Sequence, residues 1–597
     1  MRKINTVIVV LTILINWFPA ESMAQPFCQW SEGHGSVNED FGIGVATDKS
    51  GNVYTIGYFN SPTIIFGTTT LTNADNSGSS SDVFIVKSDS CGNIVWAKKA
   101  GDQDYDDRGK AITTDKNGNV YVTGSYYSYY IKFGSDSLAN TGTGWSTYIA
   151  KYSPSGNVLW AKGMNASGGV NSTGITIDKN GDLLMSGYYM SDSVKLDAIK
   201  LIGNSSENRI LIAKYNSNTG NVMWAKNAEY SSNKLSGITT DTTGNVFVSG
   251  SFYDSIKIEN TVLLGQNNLN AFFAKYNSSG NIVWAKSAGL NYDDEATGIA
   301  ADKAGNIFIS GYFQSDSILF NSVKLKLPSS STIGNGFLVK CDAAGNALWG
   351  KRTNGLSEDY SEVVVTNSSG DVFVAGNFRS SSISLDGVIL NNAGANTTYD
   401  FYLAKYNTNG QLRWARKAGN TGNDFVETIA LGLNGIPYVI GEYASATIAF
   451  AAQTLTNNGT SDIYITNDIN RIGTPVPQLC EVTVDSISKN NMIYWDKTPY
   501  TNVSSFIVYR EIATNIYKPI KSIHVDSLSL MVDTVRTKYF PNTGDPNVGT
   551  YRYKLQILDT VGNFGLLSPF HNTVYIVDNG SGQFTWNPAY TIEGSLN

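Results

Sequence analysis

The stretch "YNSNTGNVMWAKNA" (residues 215–228) joins a polar turn around Gly220 and Asn221 to a tryptophan, Trp224. The same order of residue types recurs in "SDSCGNIVWAKKA" (88–100), "YSPSGNVLWAKGM" (152–164), "YNSSGNIVWAKSA" (276–288), "CDAAGNALWGKRT" (341–353) and "YNTNGQLRWARKA" (406–418). A catalytic arrangement needs to occur only once in a chain, whereas a structural motif recurs with every repeat. The motif therefore predicts a joint in a repeated scaffold.

The composition of the 597-residue chain favours β-strands joined by polar turns. Only 16% of the residues are charged, and 58 are glycine. The formal net charge of −7 lacks the basic excess that proteins use to hold nucleic acid. No run of 18 apolar residues is present in the sequence, so no membrane-spanning helix is predicted.

The first 24 residues have the pattern of a secretory signal peptide. Arg2 and Lys3 supply positive charge, residues 7–18 form a short apolar segment, and "SMA" (22–24) is a small-residue cleavage site. We therefore expect residues 1–24 to be removed. The mature protein is expected to be secreted, either extracellular or on the outer-membrane surface.

Three sequence markers each recur seven times. One is a tryptophan, at intervals of 60 to 66 residues. Another is a turn glycine that Asn or Asp follows in all copies but the last, and the third is a glycine with an aromatic residue two positions later. Each unit also contains four short segments with apolar residues at alternate positions, such as "NIFISGYF" and "AFFAKY". The sequence therefore predicts seven four-stranded sheets. The tryptophans are Trp30, Trp96, Trp160, Trp224, Trp284, Trp349 and Trp414.

The order of the markers predicts how the set of sheets closes. The first repeat segment, "FCQWSEG" (27–33), has the pattern of a fourth strand, and the last, "DIYITND" (462–468), has that of a third. Seven complete sheets then require the N-terminal strand to join the last sheet. This pairing would leave no open sheet edge to promote aggregation.

The repeat resembles a known family. The patterns "D-x-x-G-N-V-Y-V-x-G" and "F-I-A-K-Y-x-x-x-G-N-x-x-W-A-K" are similar to the seven-bladed β-propeller repeats (SBBP type) of exported bacterial proteins. The resemblance implies an all-β fold with a seven-bladed propeller over residues 25–472, in which the N-terminal strand closes the last blade.

The turn "NTGNVMW" also resembles the tryptophan-docking motif of quinoprotein dehydrogenases, whose tryptophans pack between neighbouring blades. Those enzymes have eight blades and adjacent cysteines near the cofactor, whereas this chain has seven units and no Cys-Cys pair. We therefore expect the seven tryptophans to be structural joints between blades, and we expect no cofactor.

Beyond the repeats, "GTPVPQLC" (473–480) has the composition of a linker. Residues 481–578 resemble a fibronectin type III domain, an immunoglobulin-like β-sandwich. The resemblance implies that Trp495 is the core tryptophan and Tyr551 the corner tyrosine whose hydroxyl ties a loop. Residues 579–597 are expected to be a tail or the start of a further module.

Four cysteines would lie in an oxidising compartment after secretion. Cys28 lies in the closing strand and Cys480 just past the last blade, so these two could form a disulfide that locks the ring. Cys91 and Cys341 belong to blades that are not neighbours and are expected to be unpaired.

The sequence offers few residues for catalysis, and we predict that the protein is not an enzyme. It has three histidines in unrelated segments and none of the common hydrolase, zinc or nucleotide motifs. The aspartate of each "D-x-x-G-N" turn is expected to cap its hairpin rather than bind calcium. The lysines that end the third strands, such as Lys87, are expected to lie along apolar surface with their ammonium groups in water.

One acidic position recurs eight residues before each of these turns. Strand direction places it on the face that carries the long loops between second and third strands. Two alternatives remain open. Each carboxylate caps its own loop or bonds to the next blade, or the set binds a cation such as calcium, or a basic or polyol ligand, at the channel mouth. Two of the seven blades have Val170 and Asn233 instead. The candidate ring is Asp40, Asp107, Asp294, Asp359 and Asp424.

These observations predict a secreted or cell-surface, non-catalytic binding or adhesion protein. Exposed tyrosine-rich loops such as "SYYSYY" (125–130) suit a glycan or protein ligand. The alternatives are an extracellular glycan-active hydrolase or lyase that uses propeller-face carboxylates, and a purely structural surface component. We expect a monomer with no nucleic-acid partner.

Overall fold

The computed structural model describes residues 30–467, apart from residues 76, 104, 230–232, 329–332, 433–434 and 451–452, and shorter segments between residues 479 and 586. All regular secondary structure in these residues is β-strand, which confirms the all-β prediction for them. No described helix is long and apolar enough to cross a membrane. The predicted signal peptide (1–24) and most of the predicted linker and tail lie outside the described residues.

Between residues 31 and 466, the described strands form seven antiparallel sheets of four strands, called sheets 1 to 7 in chain order. Within a sheet the strands are called first to fourth, and neighbours in this order are hydrogen-bonded. Sheet 1 consists of Asp40–Thr47, Val53–Phe59, Asp82–Ser88 and Ile94–Ala100. Sheet 2 consists of Asp107–Thr114, Val120–Tyr126, Ser146–Tyr152 and Val158–Met164. Sheet 3 consists of Val170–Ile177, Leu183–Tyr189, Arg209–Tyr215 and Val222–Asn227.

The remaining sheets repeat this arrangement. Sheet 4 consists of Asn233–Thr240, Val246–Ile258, Thr261–Tyr276 and Ile282–Ala288. Sheet 5 consists of Asp294–Ala301, Ile307–Phe313, Asn335–Cys341 and Ala347–Arg352. Sheet 6 consists of Val363–Thr366, Val372–Phe378, Asp400–Tyr406 and Leu412–Ala418. Sheet 7 consists of Asp424–Leu431, Pro437–Tyr443, Asp462–Thr466 and Ser31–His34.

Sheet 7 is completed by the N-terminal strand. Ser31 pairs with Thr466, and His34 pairs with Ile463, in antiparallel register. The Ser31 and Thr466 hydroxyls are also hydrogen-bonded, 2.6 Å apart. The two ends of the repeat region therefore share one sheet, in the pairing that the sequence markers predict.

Six sheets carry a separate hairpin between their second and third strands, and each hairpin lies against the outermost, fourth strand of its sheet. In sheet 4 the long second and third strands form the equivalent hairpin themselves. The hairpins are Thr63–Phe66 with Thr69–Thr72, Tyr130–Phe133 with Asp136–Ala139, Ser193–Leu196 with Ile199–Ile202, Ser317–Phe320 with Val323–Lys326, Ser382–Leu385 with Val388–Asn391, and Thr447–Phe450 with Gln453–Thr456.

The hydrophobic core lies between neighbouring sheets. One apolar cluster joins Tyr54 and Ile56 of sheet 1 to Val122 of sheet 2, and another joins Val45 of sheet 1 to Ile440 of sheet 7. The first strands contact one another in chain order, and the first strand of sheet 7 contacts that of sheet 1. The first strands therefore line the centre of the arrangement, and the fourth strands lie at its outside.

The C-terminal segments form two further sheets around one apolar cluster. Trp495 and Tyr553 are buried in this cluster. The Tyr553 hydroxyl, two residues after Tyr551, donates to Asp533 at 2.7 Å. One sheet contains Leu479–Val484, Asn491–Trp495 and Leu530–Val532, and the other contains Ile516–His524, Val503–Ala513, Arg552–Asp559 and His571–Asn572. A hairpin of Ile576–Asp578 and Phe584–Trp586 follows.

The cysteines differ from the expectation. Cys91 is disulfide-bonded and therefore not unpaired, whereas Cys341 is free and buried. The side chains of Cys28 and Cys480, which are predicted to pair, lie outside the described residues. The order of the repeats does not show that Trp30 packs on the turn beside Cys91. A Cβ added at Gly92 would lie 2.8 Å from the Trp30 ring, so the N-terminal segment also lies against sheet 1.

Candidate functional site

The repeated tryptophans connect neighbouring sheets. Trp96 Nε1 donates to the carbonyl of Pro154 in the turn of the next sheet, at 3.1 Å. The indole also lies against the turn glycine, because a Cβ added at Gly156 would be 3.0 Å from the Trp96 ring. Trp414 differs: its indole nitrogen is buried and has no hydrogen-bond partner in the described part of the chain. The other tryptophans that donate in this way are Trp30, Trp160, Trp224, Trp284 and Trp349.

The contact between a repeated tryptophan and the turn of the next sheet is called a seam. Four of the lysines at the ends of the third strands also belong to seams, so for these four the expectation that the ammonium group lies in water is wrong. Lys87 Nζ lies 3.0 Å from the Pro154 carbonyl that also accepts from Trp96. The Lys87 ammonium group also lies 5.3 Å from the centre of the Tyr54 ring, a cation–π distance. Lys151, Lys275 and Lys340 bind the turn of the next sheet in the same way. Burial of the stem and a carbonyl acceptor thus replace hydration.

The "D-x-x-G-N" turns are hairpins capped by their own aspartates. Asp48 Oδ1 accepts from the backbone N–H groups of Ser50 and Asn52, at 2.8 and 3.0 Å. Asp48 Oδ2 accepts from the Asn52 side chain and the Tyr54 hydroxyl. In the described residues, no group of His, Cys, Asp and Glu side chains is arranged to hold a metal ion.

The candidate acidic ring is buried beneath the surface of the mouth. Asp294 is 0% exposed and accepts from the backbone of Leu290 and from the backbone and hydroxyl of Ser315. Val170 is also fully buried, and Asn233 occupies the equivalent strand position. This is the capping alternative, and it leaves no exposed carboxylate oxygen for a ligand. Each of the other four aspartates also accepts from its own loop, namely Asp40, Asp107, Asp359 and Asp424.

Burial perturbs the titration of these carboxyls. It raises the pKa of Asp40 and of Asp294 to about 6 and that of Asp359 to about 7, although serine hydrogen bonds oppose the shift. The pKa of Asp107 and that of Asp424 are raised for the same reason. The ring therefore holds protons at a pH where exposed aspartates are ionised.

The face on which the first strands begin also carries the loops before the third strands. The carbonyl of Trp145, in such a loop of sheet 2, accepts from the Val170 N–H of sheet 3 at 2.8 Å. The carbonyl of Tyr399 in sheet 6 accepts from the Asp424 N–H of sheet 7 in the same way. Loops of neighbouring sheets thus meet around the central channel, where the strand-direction argument places them.

Half-exposed aromatic side chains surround this end of the channel. Phe41 stacks on Tyr58 with ring centres 4.7 Å apart, and Tyr312 meets Tyr360 edge-on at 4.9 Å. The Arg108 guanidinium lies 5.3 Å from the centre of the Tyr58 ring and 5.2 Å from that of Trp145. This group is called the aromatic mouth and consists of Phe41, Tyr58, Trp145, Tyr312, Tyr360, Tyr399 and Phe425.

Behind the aromatic mouth, the first strands enclose a cavity of about 650 Å³. A β-bulge on the first strand lies at the same position in sheets 1 to 5 and 7. Bulges re-aim side chains, and the bulged residues line the cavity. With the equivalent residue of sheet 6, these bulge positions are Ile43, Lys110, Thr173, Ser236, Thr297, Glu362 and Glu427.

The cavity contains ionisable groups with shifted pKa values. Burial raises the pKa of Glu362 to about 7, against the attraction of Lys234. Burial and the charge of Glu362 raise the pKa of Glu427 to about 7, and burial and Glu427 raise that of Glu442 to about 8. The pKa of Lys110 is lowered, mainly by burial. Such shifted groups are typical of binding and catalytic sites.

Patterns that recur between repeats do not reveal the charged residues of the cavity, because these are the residues that differ between repeats. The signal was present in the third residue after each ring aspartate, where Lys110, Glu362 and Glu427 replace the small or apolar residues of other repeats.

The sequence profile of the SBBP β-propeller repeat matches residues 95–125 and 283–315. Each match runs from the fourth strand of one sheet into the second strand of the next. Together with the all-strand fold, the matches support a β-propeller repeat protein.

Two curated proteins are similar to the chain. The uncharacterized WD repeat-containing protein L264 of Acanthamoeba polyphaga mimivirus is 24% identical over 538 residues, covering 73% of this chain and 38% of that protein. Regulatory protein FlaEY of Caulobacter vibrioides is 26% identical over 171 residues, covering 28% of this chain and 17% of that protein. The chain thus spans less than two fifths of either relative. Among solved structures, Sqt1 from Chaetomium thermophilum is 11% identical with a TM-score of 0.32, and the match covers 69% of this chain and 96% of that chain.

Proposed function

We propose that the protein is a secreted or cell-surface, non-catalytic binding or adhesion protein that binds a glycan or another protein at the aromatic mouth. The observation that carries this proposal is the group of half-exposed aromatic rings around one end of the channel. Aromatic side chains supply rigid, amphipathic contact area, and Arg108 adds hydrogen-bond donors among them. The long loops on the same face enlarge this surface.

The proposed architecture is a seven-bladed β-propeller closed by the N-terminal strand, followed by a fibronectin type III-like domain. The cyclic contacts of seven four-stranded sheets support the first part. The sheets of three and four strands around the buried Trp495 support the second part. The fibronectin-like domain would act as a spacer that displays the propeller.

Secretion has two independent lines of support. The first 24 residues have the composition of a signal peptide. The disulfide at Cys91 is of the kind that persists in oxidising compartments.

A glycan array probed with the purified chain, together with pull-down of surface proteins, tests the proposal. We expect one ligand class to bind. Tyr360→Ala and Trp145→Ala should each weaken that binding about tenfold or more, as truncated anchors do. Leu159→Ala is the control, because Leu159 is an exposed apolar residue on the outer, fourth strand of sheet 2. Equal binding by all three variants would overturn the mouth as the site.

A glycan-active hydrolase or lyase is the second candidate, and the raised pKa of Glu362 in a cavity favours it. A general acid needs a carboxyl that still holds its proton near neutral pH. A panel of chromogenic glycosides separates the two candidates. Turnover that Glu362→Gln abolishes would establish the enzyme, and binding without turnover would establish the binding protein.

A further inference from the structure

The bulge position differs from the rest of the first strand in how it varies between sheets. Two residues after it, each sheet has valine or isoleucine, as at Val45, Ile112 and Val364. A position whose role is only structural keeps the same kind of residue in every sheet, because every sheet packs against equivalent neighbours. The bulge position instead carries five residue types in seven sheets, including lysine and glutamate. Packing between sheets therefore does not determine it.

The charges in the cavity are separated by sign around the ring. Lys110 and Lys234 come from sheets 2 and 4, whereas Glu362 and Glu427 come from the adjacent sheets 6 and 7. This division places an electric field across the cavity.

None of the four cavity charges has a partner ion within 4.0 Å in the residues that the structure describes. The neighbouring Asn377 amide opposes the rise in the pKa of Glu362 only in part. Lys110, Glu362 and Glu427 are partly buried, where an unpaired charge is costly, whereas Lys234 is exposed at the cavity wall. A ligand that brought the opposite charge to each side would remove this cost.

We propose that the cavity binds a small zwitterion, with its ammonium group at Glu362 and Glu427 and its carboxylate at Lys110 and Lys234. The volume of about 650 Å³ lies within the range of small-molecule sites. Asn171, Tyr188 and other polar wall residues supply further hydrogen bonds. Free amino acids and dipeptides have this combination of charge and size. A purely anionic or purely cationic ligand would leave one side of the cavity unmatched.

Isothermal titration calorimetry of the full chain at about pH 7 tests the proposal with free amino acids and unblocked dipeptides as probes. The matched probes are the same dipeptides with an N-acetyl group, which removes the ammonium charge, and with a C-terminal amide, which removes the carboxylate. We expect an unblocked probe to bind. Each blocked form should bind with an affinity lower by about tenfold or more. Equal affinity for blocked and unblocked forms, or no binding of any unblocked probe, overturns the proposal.

Two variants assign the charges to the two sides. Glu427→Gln should weaken binding of the unblocked dipeptide about tenfold and leave that of the N-acetyl form within about twofold. Lys110→Gln should show the reverse selectivity, with the amide form unaffected. Lys195→Gln, at an exposed lysine on an outer hairpin, is the control and should change neither. If a variant weakened binding of the unblocked, N-acetyl and amide forms equally, it would act through the fold, and the charge assignment would be overturned. Because the proposed glycan or protein site lies at the aromatic mouth, Tyr360→Ala should leave dipeptide binding intact.

Discussion

The seams between sheets and the wall of the channel are built from the same repeats, yet they follow opposite rules. At a seam, the tryptophan meets the turn glycine and a turn carbonyl of the next sheet, and six of the seven tryptophans do so in the described residues. Along the channel wall, the bulge residue changes from isoleucine to lysine to glutamate. The seam must be made once per sheet for the ring to exist, whereas the bulge residue lies outside the regular ladder. Repetition therefore marks the scaffold, and departure from it marks the candidate site.

The largest loss of stability is expected from removing the N-terminal strand, because it alone closes the ring by pairing with sheet 7. Deleting residues 25–36 removes Ser31–His34 and exposes Asp462–Thr466 as an unpaired edge. We expect aggregated protein on size-exclusion chromatography, with a chain that lacks only residues 1–24 as the control. A monomeric deletion variant with an unchanged melting temperature would contradict the shared sheet.

An interior seam should be costly but not fatal. Trp224→Ala should lower the free energy of unfolding by about 3 kcal/mol, because it empties the space against Gly280 and removes an indole donor. Met223→Ala is the matched control, since Met223 is 49% exposed and adjacent in sequence, and it should change stability by about 0.5 kcal/mol or less. Urea unfolding measures both. If both variants lost a similar free energy of unfolding, the seam tryptophan would contribute no more to stability than an exposed residue, which would contradict the prediction.

Substitution of the ring aspartates tests whether each carboxylate stabilises only its own sheet. Asp294→Asn and Asp424→Asn should each reduce the free energy of unfolding by about 1–2 kcal/mol, because an amide nitrogen cannot accept the serine and backbone bonds. Added calcium should not change the melting temperature of the parent or of either variant. A calcium-dependent shift that one variant lost would instead restore the ligand-binding interpretation of the ring.

The smallest effect concerns the channel wall and its pH dependence. The pKa of Glu427, of Glu362 and of Asp359 is raised to about 7, so the folded protein retains protons that the unfolded chain releases near pH 4. Their stabilising contribution is present at low pH and is lost as the pH rises through 7. We expect a lower melting temperature at about pH 8 than at about pH 5, measured by scanning fluorimetry. Glu427→Gln should lose less between the two pH values than the parent does. A melting temperature that rose over this interval would contradict the assignment.

Much of the scaffold was predictable because its determinants are local and repeated. The alternating segments predict the strands, the glycine turns predict the hairpins, and the order of the markers predicts that Ser31–His34 joins sheet 7. The environment of Lys87 was not predictable, because its carbonyl acceptor belongs to the next sheet, 67 residues away. A single sequence does not show which distant turn a side chain contacts.

The candidate site was less accessible to sequence reasoning. The recurrence of the ring aspartates drew attention to them, but a buried carboxylate that caps a loop and an exposed one that binds a ligand have the same pattern. Lys110, Glu362 and Glu427 lie in three different repeats, and only the closure of the ring brings them to one cavity. Cys91 was predicted to be free because blade order alone does not show that Trp30 lies on its turn.

The shared sheet also sets the timing of folding during synthesis. The backbone of Trp30 is bound to Asn467, and 437 residues separate the two. At ordinary rates of translation, the ribosome takes about 20–90 s to add that many residues. The N-terminal strand must therefore wait unpaired while six sheets are completed behind it, and the ring becomes topologically closed only when its last repeat emerges. Pairing with another chain during that interval would link two molecules, so neighbouring chains have to be kept apart until the last repeat is made.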